Sequence, residues 1–359
     1  MLFNSIEFLL FFPAVVLLYY AIPGKLRVFW ILLTSYLFYM NWNPAYALLL
    51  LFSTAVTFLF GLLIGKRRTK EKAAAEAGRP IHQLSKVWVG VSFAVNLAIL
   101  FFYKYFDFTV DNINVIRGWM GLAPVTPGFD VLLPVGISFF VFQSMSYTID
   151  IYRGQLKPLD NWCDYLFYLS FFPQLVAGPI VRARDFIPQI RQNPIVVTRE
   201  MFGTGVFLIL TGLFKKAIIS DYISLNFVDR IFDEPLLYSG FECLAGIYGY
   251  ALQIYCDFSG YSDMAIGIAL LLGFRFPKNF DAPYKSATIT EFWRRWHISL
   301  STWLRDYLYI SLGGNRKGKL RTYGNLLITM LLGGLWHGAA VRFILWGALH
   351  GAALALHKL

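Results

Sequence analysis

Two histidines head the residues whose types and spacing could do chemistry. His337 lies in Leu335-Trp336-His337-Gly338-Ala339, within residues 323–340, a run apolar enough to cross a membrane. An ionisable side chain at that depth is costly, which makes it a functional-site candidate. Low dielectric favours the uncharged form of an imidazole, the form able to accept a proton. Within hydrogen-bond reach of a hydroxyl, such a ring can activate it for attack on an acyl thioester. Gly333, Gly334 and Gly338 leave little bulk on the neighbouring turns. The alternative is a packed histidine on a helix with a small-residue face.

The second histidine, His297, lies in Phe292-Trp293-Arg294-Arg295-Trp296-His297-Ile298-Ser299-Leu300-Ser301, which continues to Trp303-Leu304-Arg305-Asp306-Tyr307. Phe292, Trp296, Leu300, Trp303, Leu304, Tyr307 and Leu308 recur at three- and four-residue steps. That spacing predicts one amphipathic helix within residues 290–312. Arg294, His297, Ser301 and Arg305 fall on the opposite stripe. The helix is expected to lie at the cytoplasmic interface. Its polar stripe is either plain solvated surface or the mouth for an anionic donor, such as a phosphopantetheine-bearing molecule.

Other motifs carry less. Gly313-Gly314-Asn315-Arg316-Lys317-Gly318-Lys319 nearly spells a phosphate loop, but Leu320 replaces the Ser or Thr that would bind magnesium. No strand precedes it, so that reading fails. His350 and His357 are seven residues apart with no His-x-x-His cluster, which gives no metal site and argues against a di-iron hydroxylase. Cys256 beside Asp257 reads as a small hydrophobe rather than an acyl nucleophile. Asp257 and Asp263 read as partners for interior polar groups. Lys215-Lys216, late in residues 202–219, either snorkel to the interface or line a cavity. Cys163, Cys243 and Cys256 have no paired spacing that would imply a disulfide framework.

The elements that must position these residues are helices in a bilayer. The 359-residue chain is 57% hydrophobic and 15% charged, well below the roughly 25% charged residues of a soluble domain. The net charge of +11 is segregated. Residues 66–86 hold seven basic and two acidic side chains, whereas residues 107–130 hold one basic and three acidic. Residues 229–242 hold one basic and four acidic. That alternation is the positive-inside pattern. The basic excess therefore reports topology and affinity for anionic lipid rather than nucleic acid.

The apolar runs predict a single membrane-embedded domain over 1–359, with residues 66–86 as a basic cytoplasmic loop. The N-terminus, lacking a basic leader, is expected outside and retained as a membrane helix. Residues 87–106 cross outward to an acidic loop over 107–130. Residues 161–177, ending in Phe172-Pro173-Gln174-Leu175-Val176-Ala177-Gly178-Pro179, have basic residues on both flanks and are expected to enter and leave on one side. Broken backbone at membrane depth requires cover by protein or water. Residues 243–272 read as a long helix interrupted at its polar centre, near Gly260. The sequence stops inside an apolar run, as expected of a truncated chain.

The paired histidine motifs resemble those of the membrane-bound O-acyltransferases. Tyr255-Cys256-Asp257-Phe258-Ser259-Gly260-Tyr261-Ser262-Asp263, Gly273-Phe274-Arg275-Phe276-Pro277 and Gly313-Gly314-Asn315-Arg316-Lys317-Gly318 are similar to the branch that contains the membrane subunit of bacterial alginate O-acetylation. The likeness covers essentially the whole chain. It implies an all-α polytopic membrane protein, a shell of tilted helices around a central funnel, with re-entrant and interfacial helices. It implies that His337 is the essential catalytic histidine and that His297, the second motif histidine, is a catalytic residue on the cytoplasmic side. It also implies a bacterial inner-membrane location and a cytosolic donor, acetyl-CoA, approaching the stripe of Arg294, Ser301 and Arg305. The acetyl group would pass outward to a periplasmic or extracellular serine esterase-like partner, which places it on polysaccharide hydroxyls. The acceptor could be alginate, acetylated cellulose, another exopolysaccharide or peptidoglycan. A cousin branch transfers D-alanine to teichoic acid from a carrier protein. The competing class is a transporter or scaffold, for which inverted repeats would speak and none is visible. Two departures stand out. Ser311 replaces a frequent proline, a change expected to be harmless, and the chain ends earlier than its relatives.

Overall fold

The computed structural model describes residues 1–80, 83–129, 131–192 and 195–358. Ile81 and His82 of the basic stretch, Asp130 at the end of the acidic one, and Leu359 at the chain's end lie outside the described residues. Among the described residues every regular element is helical. Three helical runs among the described residues are long and apolar enough to cross a membrane: Pro44–Glu76, Leu84–Trp119 and Arg199–Asp233. Ile6–Ala21 and Val341–Leu356 are shorter apolar helices.

Four segments differ from the sequence expectation, each for a local reason. The basic stretch at 66–86 is not a loop throughout, because the Pro44–Glu76 helix runs on through its first half. Its Lys, Arg, Glu and Ala residues are strong helix formers, and Arg68 approaches Glu71 at 4.0 Å one turn on. The Glu71 carboxylate then accepts from the backbone N–H of Ser85 at 2.8 Å, supplying a cap for the helix that starts at Leu84. The acidic segment after Phe106 likewise stays helical to Trp119. The Gly240–Leu271 helix is continuous rather than interrupted, and opens on a capping box between Ser239 and Glu242. Gly260 does not break it, since the glycine lies against another helix, where an added Cβ would sit 2.7 Å from the Gly212 carbonyl.

The fourth difference matters most for function. The single amphipathic helix expected within residues 290–312 is two short helices, Ile289–Arg295 and Ile298–Trp303, followed by a π-wound turn, Leu304–Tyr309. Trp296 is extended and His297 is left-handed at φ 43°, ψ 57°. The register is lost there, so Arg294, His297, Ser301 and Arg305 cannot share one stripe. Arg294 and Arg305 are exposed, Ser301 is half-buried, and His297 is only 1% exposed.

Backbone contacts group the chain into two compact units. The first comprises residues 1–47, 170–181 and 185–280. Its Arg199–Asp233 and Gly240–Leu271 helices meet along a glycine seam, Gly205 and Gly212 against Gly267 and Gly260. Small residues let backbones approach closely where lipid supplies no hydrophobic drive. The seam brings charges into register. Lys215 pairs with Asp263 at 2.6 Å, and Lys216 bridges Asp257 at 2.6 Å and Asp221 at 2.7 Å. The hydroxyls of Tyr19 and Tyr20 donate to the carbonyls of Leu272 and Leu271, each at 2.7 Å, and close the end of that helix.

The second unit comprises residues 48–169, 182–184 and 281–359. The Ile137–Arg153 helix is buried along nearly its whole length. Its Tyr147 ring packs 4.4 Å from Tyr165, and its Phe142 ring stacks at 3.9 Å on Trp303. The Lys319–His337 and Val341–Leu356 helices form a tight hairpin in which Gly334 and Gly347 abut opposite backbone. Both motif histidines belong to this unit.

Candidate active site

His337 is the last residue of the Lys319–His337 helix, and Gly338 beyond it is extended. A side chain at Gly338 would collide with the Phe343 ring, which accounts for glycine there. The terminal carbonyls of a helix lack intrahelical partners and carry partial negative charge. Here they find donors on the Leu84–Trp119 helix, within its π-wound turn Phe101–Tyr105. The Tyr105 hydroxyl donates to the Leu335 carbonyl at 2.8 Å. The Lys104 ammonium donates to the Trp336 carbonyl, and at 3.1 Å to the Ser138 hydroxyl.

Aromatic rings define the space around the imidazole. The His337 ring stands edge-on to Trp336 and to Trp346, with centroids 5.0 Å away in both cases. His350 lies 4.6 Å from Trp346 and 5.2 Å from Trp293. The His297 ring is 5.9 Å from Trp336 and 6.5 Å from His337. The left-handed backbone at His297 turns its ring inward, which a continuous helix would not do. His337 itself is half-buried. Two imidazoles thus lie beside one indole, that of Trp336, with His297 buried and His337 half-buried.

The three residues expected to hold a donor are not brought together. Arg294 is exposed, and the Ser301 hydroxyl donates to the Trp296 carbonyl at 3.1 Å. Arg305 joins a separate cluster on Asp306, its Nε donating at 2.7 Å to one carboxylate oxygen while Arg182 donates at 2.7 Å to the other. Arg153 donates to the Asp306 backbone carbonyl at 2.9 Å and to the Ser311 hydroxyl at 3.0 Å. Ser311 is therefore integrated into this cluster. Burial pushes the Asp306 carboxyl up, but bonds and charge from Arg305 and Arg182 outweigh it and hold it below the usual carboxylate range.

Sequence reasoning overlooked Lys104, Tyr105, Ser138, Trp346 and His350 as neighbours of the site. One signal was present. Lys104 interrupts the run Phe101-Phe102-Tyr103-Lys104-Tyr105-Phe106 inside an apolar span, and such a residue needs a partner.

The family model for the membrane-bound O-acyltransferases matches residues 129–359, which include both histidine motifs. The chain belongs to the membrane-bound O-acyltransferase family. It is 45% identical over its full length to "Probable alginate O-acetylase AlgI" of Pseudomonas syringae, of which it covers 66%. It is 37% identical, over 92% of its length, to the peptidoglycan O-acetyltransferase of Helicobacter pylori, covering 64% of that protein. It is 30% identical, over 66% of its length, to the teichoic acid D-alanyltransferase of Bacillus subtilis, covering 61% of that one. The chain thus spans about two thirds of the length of the curated relatives it matches. Family membership and its apolar helices make it a multi-pass membrane protein.

Proposed function

We propose that this chain is the membrane acyltransferase component of an exopolysaccharide O-acetylation system, acting on an alginate-like polymer in the bacterial inner membrane. The observation that carries the reading is the convergence of the two motif histidines in one niche, 6.5 Å apart, in a chain so similar to alginate O-acetylases. The acetyl donor is a cytosolic thioester, acetyl-CoA. An incoming hydroxyl, from the polymer or from a serine of an extracytoplasmic esterase-like partner, donates its hydrogen bond to the His337 ring. As its oxygen attacks the thioester carbonyl, the imidazole takes the proton. Collapse of the tetrahedral adduct forms the ester and breaks the C–S bond, and the proton passes to the departing thiolate. His297, buried behind Trp336, shapes the niche from within. The basic segments at 66–86 face the cytoplasm and the N-terminus faces out.

The test is acetyl transfer from labelled acetyl-CoA by the chain in lipid with its partner, comparing wild type with His337→Ala. The variant is expected to insert normally and to transfer no label above background. Undiminished transfer overturns the assignment and leaves the scaffold reading. Two acceptors compete within the same chemistry. The similarity to a peptidoglycan O-acetyltransferase across 92% of the chain favours testing peptidoglycan beside alginate. Label arriving only from a carrier protein would favour D-alanyl transfer.

A further inference from the structure

We infer that Lys104 is a positioning residue for His337, and that together with Tyr105 it fixes the turn from which the imidazole projects. The inference rests on the reading of His337 given above. Its structural basis is a cap supplied from another helix. The Lys319–His337 helix ends abruptly, with Gly338 extended and the hairpin turning at once into Val341–Leu356. Two successive carbonyls at that end, of Leu335 and Trp336, receive donors from two successive residues, Tyr105 and Lys104. Both donors lie in one π-wound turn, a rare local geometry that recurs at functional sites.

The ammonium makes two contacts with Trp336 and one with Ser138. It bonds the Trp336 carbonyl, bonds Ser138 beside it, and sits 5.5 Å over the Trp336 indole. Phe139 and Phe142 of the helix carrying Ser138 hold the same indole at 5.6 and 5.4 Å. Trp336 is therefore gripped by carbonyl and by ring, and His337 is the next residue along. A cation at a helix C-terminus is also the charge that the helix dipole favours. No carboxylate is needed to explain this lysine, because its place is taken by the end of a helix.

The test uses the full chain in lipid with its partner and compares Lys104→Met, Lys104→Arg and Tyr105→Phe. Two readouts are taken per folded molecule: steady-state kinetics with acetyl-CoA, and the rate at which diethyl pyrocarbonate modifies His337, followed by mass spectrometry. Loss of positioning lowers kcat by about 10²-fold with KM unchanged in Lys104→Met. Lys104→Arg, which restores a cationic donor, recovers a large part of that loss, and Tyr105→Phe shows a smaller fall of the same kind. The His337 modification rate changes in Lys104→Met and returns toward wild type in Lys104→Arg. Wild-type kcat together with wild-type His337 reactivity in Lys104→Met overturns the inference. Should Lys104→Met not fold, Tyr105→Phe decides by the same two readouts. If His337→Ala stays active, the base assignment falls, while the modification rates still report whether Lys104 sets the ring.

Discussion

The two units each place lysine in a π-wound turn of a long apolar helix, and the outcomes differ. In the first unit Lys215 and Lys216 lie in the turn Phe214–Ser220, and each meets a carboxylate across the glycine seam. Charge closes on charge, and the result is a joint between helices. In the second unit Lys104 lies in the turn Phe101–Tyr105 and bonds a carbonyl and a hydroxyl, both neutral. Its charge is turned toward the residue that precedes His337. The same side chain in the same local geometry joins two helices in one place and caps the end of a helix in the other, where we propose that it positions His337. What separates the two roles is the partner, which no single helix reveals.

That contrast can be broken by substitution. The largest effect is expected from His337→Ala, a fall in transfer of about 10²–10⁴-fold with thermal stability in detergent unchanged. Lys216→Met should do the reverse. It strands Asp257 and Asp221, and a fully buried pair broken this way costs about 3–5 kcal/mol. Asp257 is 49% exposed and Asp221 36%, so screening reduces the expected loss to about 1–3 kcal/mol. Transfer per folded molecule should stay at wild type. If Lys216→Met instead abolished turnover without lowering the melting temperature, the first unit's lysines would belong to the chemistry and the contrast would fail.

The smallest effect tests the Asp306 cluster, which lies outside the apolar spans. Because its folded carboxyl is held below the ordinary range, the group stabilises the fold fully above the unfolded value, about pH 3.9. That contribution is lost as the pH falls through the lower folded value. Asp306→Asn should therefore cost about 1 kcal/mol at neutral pH, a difference constant from about pH 6 to 8 and closing in acid below about pH 4. A difference that grew toward acid would show the cluster stabilising the wrong protonation state. Chemical denaturation of both proteins across that range measures it.

The histidine motifs were legible because short, dense patterns carry them. Trp296-His297 and Trp336-His337 announce themselves in sequence, and their family follows. The helices were legible as apolar runs, but their continuity was not. Gly260 looks like a break until Gly212 is seen against it, and that neighbour lies 48 residues away. The turn at His297 was invisible for another reason, since a left-handed backbone is uncommon outside glycine even for histidine, which adopts it more often than most residues do. It made a periodic stripe of Arg294, His297, Ser301 and Arg305 that the folded chain does not contain. Lys104 was readable as an oddity, but its partner is 232 residues distant, and spacing along the chain holds no record of such a meeting.

The left-handed residues among those described, glycines apart, are Ala282 and His297, both at φ 43°. They bracket the Ile289–Arg295 helix, and the Asp281 amide donates to the Arg295 carbonyl at 2.9 Å, joining the ends of the stretch. The segment is a clasp whose two hinges both bend against the habit of L-amino acids. Asparagine and glycine accept that bend most readily. At position 297 they would delete an imidazole and leave the clasp fastened, so an engineer can remove the ring without unbuckling the backbone that presents it.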